Sequence, residues 1–130
     1  MQTQRQVDEF KNEPFTDFSQ AENAAAMTAA IEKVRGELGR EYPSIVNGEK
    51  VMLESKFESY NPAKKTEVVG VFSEGDTDTS LVIRAIDAAT DAFKTWKNVP
   101  AAERAEYIFK IAEIMRERKH ELSAWMVFEV

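Results

Sequence analysis

Residues 61–130 read NPAKKTEVVGVFSEGDTDTSLVIRAIDAATDAFKTWKNVPAAERAEYIFKIAEIMRERKHELSAWMVFEV, and this run decides the fold. It opens on a turn at Asn61-Pro62, passes through a β-rich segment at 67–72 and continues as long helical patterns. Val82, Ile86, Ala89, Phe93 and Trp96 recur at four-three-four-three spacing, which sets five apolar side chains on one helical face behind a cap at Asp76 or Thr77. That stripe predicts a helix over about 77–97 packed along its full length. Pro100 suits a first helical position, where its missing N–H is no loss, and Ala105, Ile108, Ala112 and Met115 carry a second stripe. A third set, Leu122, Trp125, Met126 and Val130, follows the charged run 116–121, so about 100–130 holds two helices or one kinked helix. Residues 123–130 offer no glycine, proline or basic last turn, the usual helix stop signals, and a piece of a larger protein is expected.

Upstream, the chain divides into an arm, a helix and a group of strands. Residues 1–18 are polar, with Pro14 among Phe10, Phe15 and Phe18, and predict an extended arm pinned to a neighbouring surface by its rings. A short recognition peptide in residues 8–18 is the less simple alternative. Ser19 with Glu22 three residues on is a capping-box pattern and starts a helix over 20–38. Met27, Ile31, Val34 and Leu38 line its apolar side, and Gly39 offers a left-handed terminus. Asn47-Gly48 tolerates the two positive φ angles of a type I′ turn, so residues 44–51 form a hairpin. Segments 57–60 and 67–72 form a second strand pair across Asn61-Pro62-Ala63-Lys64-Lys65, and the β content ends at Gly75.

Composition narrows the function. One domain with a core fits 130 residues that are 43% hydrophobic. A formal charge of −6 disfavours nucleic acid and anionic membrane surfaces as partners. The absence of cysteine removes disulfides, zinc ribbons and thiol catalysis from these residues. The first ten residues contain no apolar core for a secretory signal and no window reaches a membrane-spanning length, so a soluble cytoplasmic protein is expected.

Each sharper local reading meets a plainer one. His120, the only histidine, lies among Arg116, Arg118, Lys119 and Glu121, and an exposed surface position is expected over a catalytic one. Glu74, Asp76 and Asp78 resemble the start of a calcium loop, yet the sixth-position glycine and the closing glutamate are missing, so helix capping is the better account. The basic run 116–120 is interleaved with Glu113, Glu117 and Glu121 at helical spacing, which favours ion pairs on a solvated face over a phosphate patch. Gly70 and Gly75 lack dinucleotide-loop or Walker spacing, and Gly70 marks a bulge or close backbone contact. Trp96 and Trp125 belong to packing stripes.

Taken in order, Asn61-Pro62-Ala63, Val69-Gly70, Ala88-Ala89 to Ala92-Phe93 with Trp96, and Glu103-Arg104-Ala105 with Ile108, Ala112, Met115, Glu121-Leu122 and Glu129 resemble the N-terminal quarter of an aldehyde dehydrogenase. Asn12-Glu13-Pro14-Phe15, Tyr42-Pro43, Glu67-Val68-Val69-Gly70 and the run from Arg116 into Trp125 are most similar to the pyrroline-5-carboxylate dehydrogenases. The resemblance implies an α/β fold: the N-terminal portion of a Rossmann-like NAD-binding domain, here long amphipathic helices with a few short antiparallel strands. Residues 19–130 would be an incomplete part of that domain, completed by the rest of the NAD-binding and catalytic domains, with residues 1–18 as its arm.

The implied activity is oxidation of L-glutamate γ-semialdehyde to L-glutamate with reduction of NAD, the second step of proline breakdown. In the family a cysteine thiolate attacks the aldehyde, the hemithioacetal passes hydride to the nicotinamide, and a glutamate-activated water hydrolyses the thioester. Backbone and asparagine donors stabilise the oxyanion. The resemblance places no catalytic, cofactor-binding or metal residue in this chain and implies a small aldehyde substrate and a homo-oligomer for the intact protein. The 130 residues alone are therefore expected to be inactive and poorly soluble. Two other classes compete: a stand-alone non-catalytic α+β binding or regulatory module derived from the family, and a helical protein pairing through a coiled coil. The second requires an unbroken heptad register, which the hairpin and the shifting stripes interrupt.

Overall fold

The computed structural model describes residues 9–75 and 78–130. In chain order the elements are α1 (Ala21–Arg35), β1 (Arg40–Tyr42), β2 (Ser44–Val46), β3 (Glu49–Val51), β4 (Lys56–Asn61), β5 (Lys64–Ser73), α2 (Thr79–Trp96), α3 (Ala101–Glu117) and α4 (Lys119–Glu129). The long strand β5 is central: β4 runs antiparallel on one side and β1 parallel on the other. The strands expected over about 44–72 left out β1, whose three residues are too few to show a period of two.

The β2–β3 hairpin forms as its turn chemistry demands, with φ of 52° at Asn47 and 78° at Gly48. The β4–β5 pairing shifts register between Ser59↔Gly70 and Tyr60↔Val68, leaving Val69 as the extra residue of a bulge. The Val69 side chain is 1% exposed, and its carbonyl accepts a hydrogen bond from the Gly39 N–H at 3.1 Å. Gly70 is a close contact as well as a bulge neighbour: a Cβ there would meet the Phe72 ring at 3.0 Å and the Tyr42 ring at 3.1 Å. Those rings belong to an aromatic ladder across the sheet, in which Tyr42 and Phe57 each stack on Phe72 at centroid distances of 5.2 and 5.4 Å.

Helix α1 differs from its expected form at both ends. Ser19 and Glu22 do not make a capping box: Asp17 takes the Ser19 N–H at 2.9 Å and its hydroxyl at 2.7 Å, and the N-cap is Gln20 without a side-chain cap bond. A carboxylate two residues back takes the Ser19 N–H that Glu22 would have received and makes the Ser19 hydroxyl a donor instead of a cap acceptor. The same Ser19 donors hold the Asp17 carboxyl below its usual pKa. The helix ends at Arg35, before the expected residue 38, because Gly36 opens a series of i→i+3 turns closed by Gly39 at φ +75°. Asp76 and Thr77, the expected caps of α2, lie outside the described residues; Asp78 is the N-cap, accepting from the Ser80 and Leu81 amides. Pro100 is the N-cap of α3, one position before the first helical place.

The core is small and joins distant parts of the chain. Val34 of α1, Val69 of β5 and Ala124 and Phe128 of α4 are buried together, with Met27, Ala30, Ile31, Leu38 and Trp125 packed around them. Phe128 also lies under the Arg35 guanidinium, 5.3 Å from its ring centroid. The expected α4 stripe was wrong in part, since Leu122 and Trp125 are half-buried while Met126 and Val130 are exposed. The inward face is Glu121, Ala124, Trp125 and Phe128, set by where α4 crosses α1.

Candidate functional site

Helix α2 is anchored at its start and bare along its length. Leu81 is 4% exposed where the first turn meets β2, and Asp78 fixes that end through bonds of 2.9 and 3.1 Å to the Ser80 and Leu81 amides. Beyond it, Val82, Ile86, Phe93 and Trp96 are 42%, 60%, 59% and 41% exposed, so the helix does not pack along its full length in this chain. The stripe is present; its partner is not supplied by the described residues.

Helix α3 follows α2 through the turn at 97–100 and touches it close to that turn. Trp96 meets Tyr107 edge to face at 5.4 Å, and Arg104 donates to the Val99 carbonyl at 2.9 Å. Ile108, Ile111 and Met115 remain exposed. Helices α2 and α3 thus leave exposed apolar side chains along both their lengths, of the kind that mark a docking surface.

A second constellation ties α4 to the body. Glu121 accepts from Lys33 of α1 at 3.1 Å and from Arg118 at 2.5 Å, and Arg118 followed by Lys33 holds its carboxyl down at about 2. Of the interleaved charges, Arg118 and Glu121 form an ion pair of the expected kind, and Glu113 pairs with Lys110, outside the basic run, at 3.5 Å. Two basic groups do something the spacing did not show. Arg116 pairs with Glu13, and Lys119 donates to the Pro14 carbonyl at 3.2 Å, so the N-terminal arm is held by polar contacts. Its rings do not pin it: Phe10, Phe15 and Phe18 are all exposed. His120 is half-buried beside Pro14, Met27, Ser123 and Val127, a correction to its expected exposed position, because the α4 axis turns it under the arm.

The remaining candidates resolve into structural roles. Glu74 accepts from the Ser55 hydroxyl at 2.5 Å and Asp78 caps α2; among the described residues no group of three or more His, Cys, Asp or Glu side chains could hold a metal ion. Two of the candidate places for a phosphate are already filled. The Asp78 carboxylate already occupies the first amides of α2, and the space at Gly70 is filled by the Phe72 and Tyr42 rings. Among the described residues no helix is long and apolar enough to cross a membrane.

Residues 49–130 match the family model described as aldehyde dehydrogenase family. The chain belongs to the aldehyde dehydrogenase family. It is 49% identical over 92% of its length to the 1-pyrroline-5-carboxylate dehydrogenase 2 of Halalkalibacterium halodurans, and 49% identical over 95% to the 1-pyrroline-5-carboxylate dehydrogenase of Geobacillus thermodenitrificans. It covers 23% and 24% of those proteins. The crystal structure of 1-pyrroline-5-carboxylate dehydrogenase from Thermus with bound NAD superposes with a TM-score of 0.85 at 39% identity, over 97% of this chain and 24% of that one. The chain thus spans about a quarter of the length of the curated relatives it matches. The α/β arrangement seen here is that of the corresponding part of the aldehyde dehydrogenase fold.

Proposed function

We propose that this chain is the N-terminal segment of an NAD-dependent dehydrogenase that oxidises L-glutamate γ-semialdehyde, the open form of pyrroline-5-carboxylate, to L-glutamate in proline catabolism. The observation that carries this reading is the 49% identity across nearly the whole chain to two proteins named for pyrroline-5-carboxylate, with the NAD-bound Thermus structure superposing on the same residues. Within that enzyme residues 19–130 form the opening part of the NAD-binding domain and residues 1–18 its arm. The role of the segment is structural: the α2–α3 face, with Ile86, Phe93 and Ile108 exposed, seats the remainder of the NAD-binding and catalytic domains. Nucleophile, general base and dinucleotide loop lie in that remainder, consistent with a segment that has no cysteine. The intact enzyme is soluble, cytoplasmic and a homo-oligomer.

A chimera tests this directly. Residues 1–130 replace the matching quarter of the Geobacillus thermodenitrificans dehydrogenase, and NADH formation from pyrroline-5-carboxylate is followed. Turnover within about tenfold of the parent is expected, since about 1.4 kcal/mol of misfit at the new interface corresponds to that factor. A folded, soluble chimera without activity would overturn the assignment, as would NAD-dependent turnover by the 130 residues alone.

A further inference from the structure

The α3–α4 connection breaks at Arg118, where φ of −100° and ψ of 17° depart from helical values. Arg116 before the break and Lys119 after it both reach residues 13–14, so both helices turn one side toward the arm. Between that side and residues 9–14 lies a cleft of about 910 Å³, with Ala112, Met115, Leu122 and Met126 in its wall. Met115 and Met126 are 55% and 62% exposed.

The arm that forms the opposite wall is attached near Glu13 and Pro14, through Arg116 and Lys119. Phe10 sits three residues before that anchorage and lines the same cleft, with its side chain 85% exposed. We propose that residues 9–14 are a strap that closes over the α3–α4 break, with the Phe10 ring as the group that enters the cleft. The occupant is chosen by attachment: a ring three residues from a fixed point stays within about 10 Å of it. Its surroundings suit it. Small Ala112 leaves room, the flexible thioethers of Met115 and Met126 adapt to an aromatic edge, and the neighbouring Glu9 and Lys11 side chains remain in water. Closure braces the one irregular joint between the long helix α3 and the core helix α4. It goes beyond the enzymatic reading and holds whether or not the whole protein oxidises an aldehyde.

The 130-residue chain has no cysteine, so Met115→Cys introduces a single reporter thiol in the cleft wall. Its labelling rate with a maleimide is measured at low protein concentration, with circular dichroism as the check on folding. Adding Phe10→Asp is expected to raise the rate about fivefold and adding Glu13→Ala about twofold, as the covered state opens more often, while Phe15→Asp leaves it unchanged. Equal rates with and without Phe10 overturn the strap, as does an equal acceleration by Phe15→Asp. Should Phe10→Asp lose its helical signal, the Glu13→Ala protein decides alone: faster labelling supports closure and an unchanged rate refutes it.

Discussion

The α1–α4 crossing and the successive helices α2 and α3 are built from similar sequence patterns and end in opposite environments. Both carry apolar side chains at three- and four-residue spacing, yet Val34, Ala124 and Phe128 are buried while Ile86, Phe93 and Ile108 face outward. The difference lies in what the chain can bring to each stripe. Strand β5 and its bulge deliver Val69 to the crossing of α1 with α4, and Lys33 with Glu121 closes its edge. Among the described residues, α2 is met by β2 at Leu81 and by the exposed Arg84–Glu49 ion pair, and no comparable apolar cluster covers α2 and α3. Periodicity thus marks a side chain as needing a partner without saying which polypeptide segment provides it.

The contrast predicts a steep difference between two chemically identical substitutions. Phe128→Ala is expected to destabilise the chain by about 3–5 kcal/mol, the range for truncating a core aromatic, whereas Phe93→Ala costs less than about 0.5 kcal/mol in this chain. Urea unfolding of the two variants measures both, and comparable losses would erase the distinction between the regions. In the chimeric enzyme the Phe93 substitution is expected to become costly as well, since the proposed docking covers that face.

A smaller effect belongs to the sheet beside the core. Gly70→Ala places a Cβ 3.0 Å from the Phe72 ring and 3.1 Å from the Tyr42 ring, so the stacked rings have to give way slightly. Overpacking of roughly 1–3 kcal/mol outweighs the ~0.4–1 kcal/mol that alanine recovers from the unfolded chain. A stabilised Gly70→Ala variant would show that the rings yield more easily than their stacking indicates.

The smallest effect is the pH response of the α1–α4 tie. Arg118 and Lys33 depress the Glu121 carboxyl from 4.5 to about 2, so its contribution is fully present above about pH 4.5 and is lost as the pH falls toward 2. Solvent screening keeps that contribution small. The wild-type unfolding midpoint is expected to drop more than that of Glu121→Gln between pH 5 and about 2; parallel pH profiles would remove Glu121 from the tie.

Much of the local structure was legible because it rests on near-neighbour chemistry. The Asn47-Gly48 turn, the Asn61-Pro62 turn, and the α2 and α3 stripes each depend on residues within four positions of one another. The misses share the opposite character. Ser19 lost its cap role to Asp17 through a competition that spacing alone could not rank. Phe128 stands three residues after Trp125 and four after Ala124, a face visible in the sequence but not separable from that of Leu122, Met126 and Val130 until α1 is in place. Arg116 and Lys119 gave no sign of holding an arm about a hundred residues away.

From its residues alone this chain determined its turns, the existence of its helices, their apolar sides and its resemblance to the aldehyde dehydrogenases, since φ preferences, capping groups and side-chain periodicity act over a few positions. Only the tertiary structure decided that β1 joins β5 in parallel, that Val69 turns inward at a bulge, and that one face of α4 is buried while α2 is bare beyond its first turn. Those outcomes depend on which distant surfaces meet, and the free energy of burying a stripe depends only on whether some surface covers it.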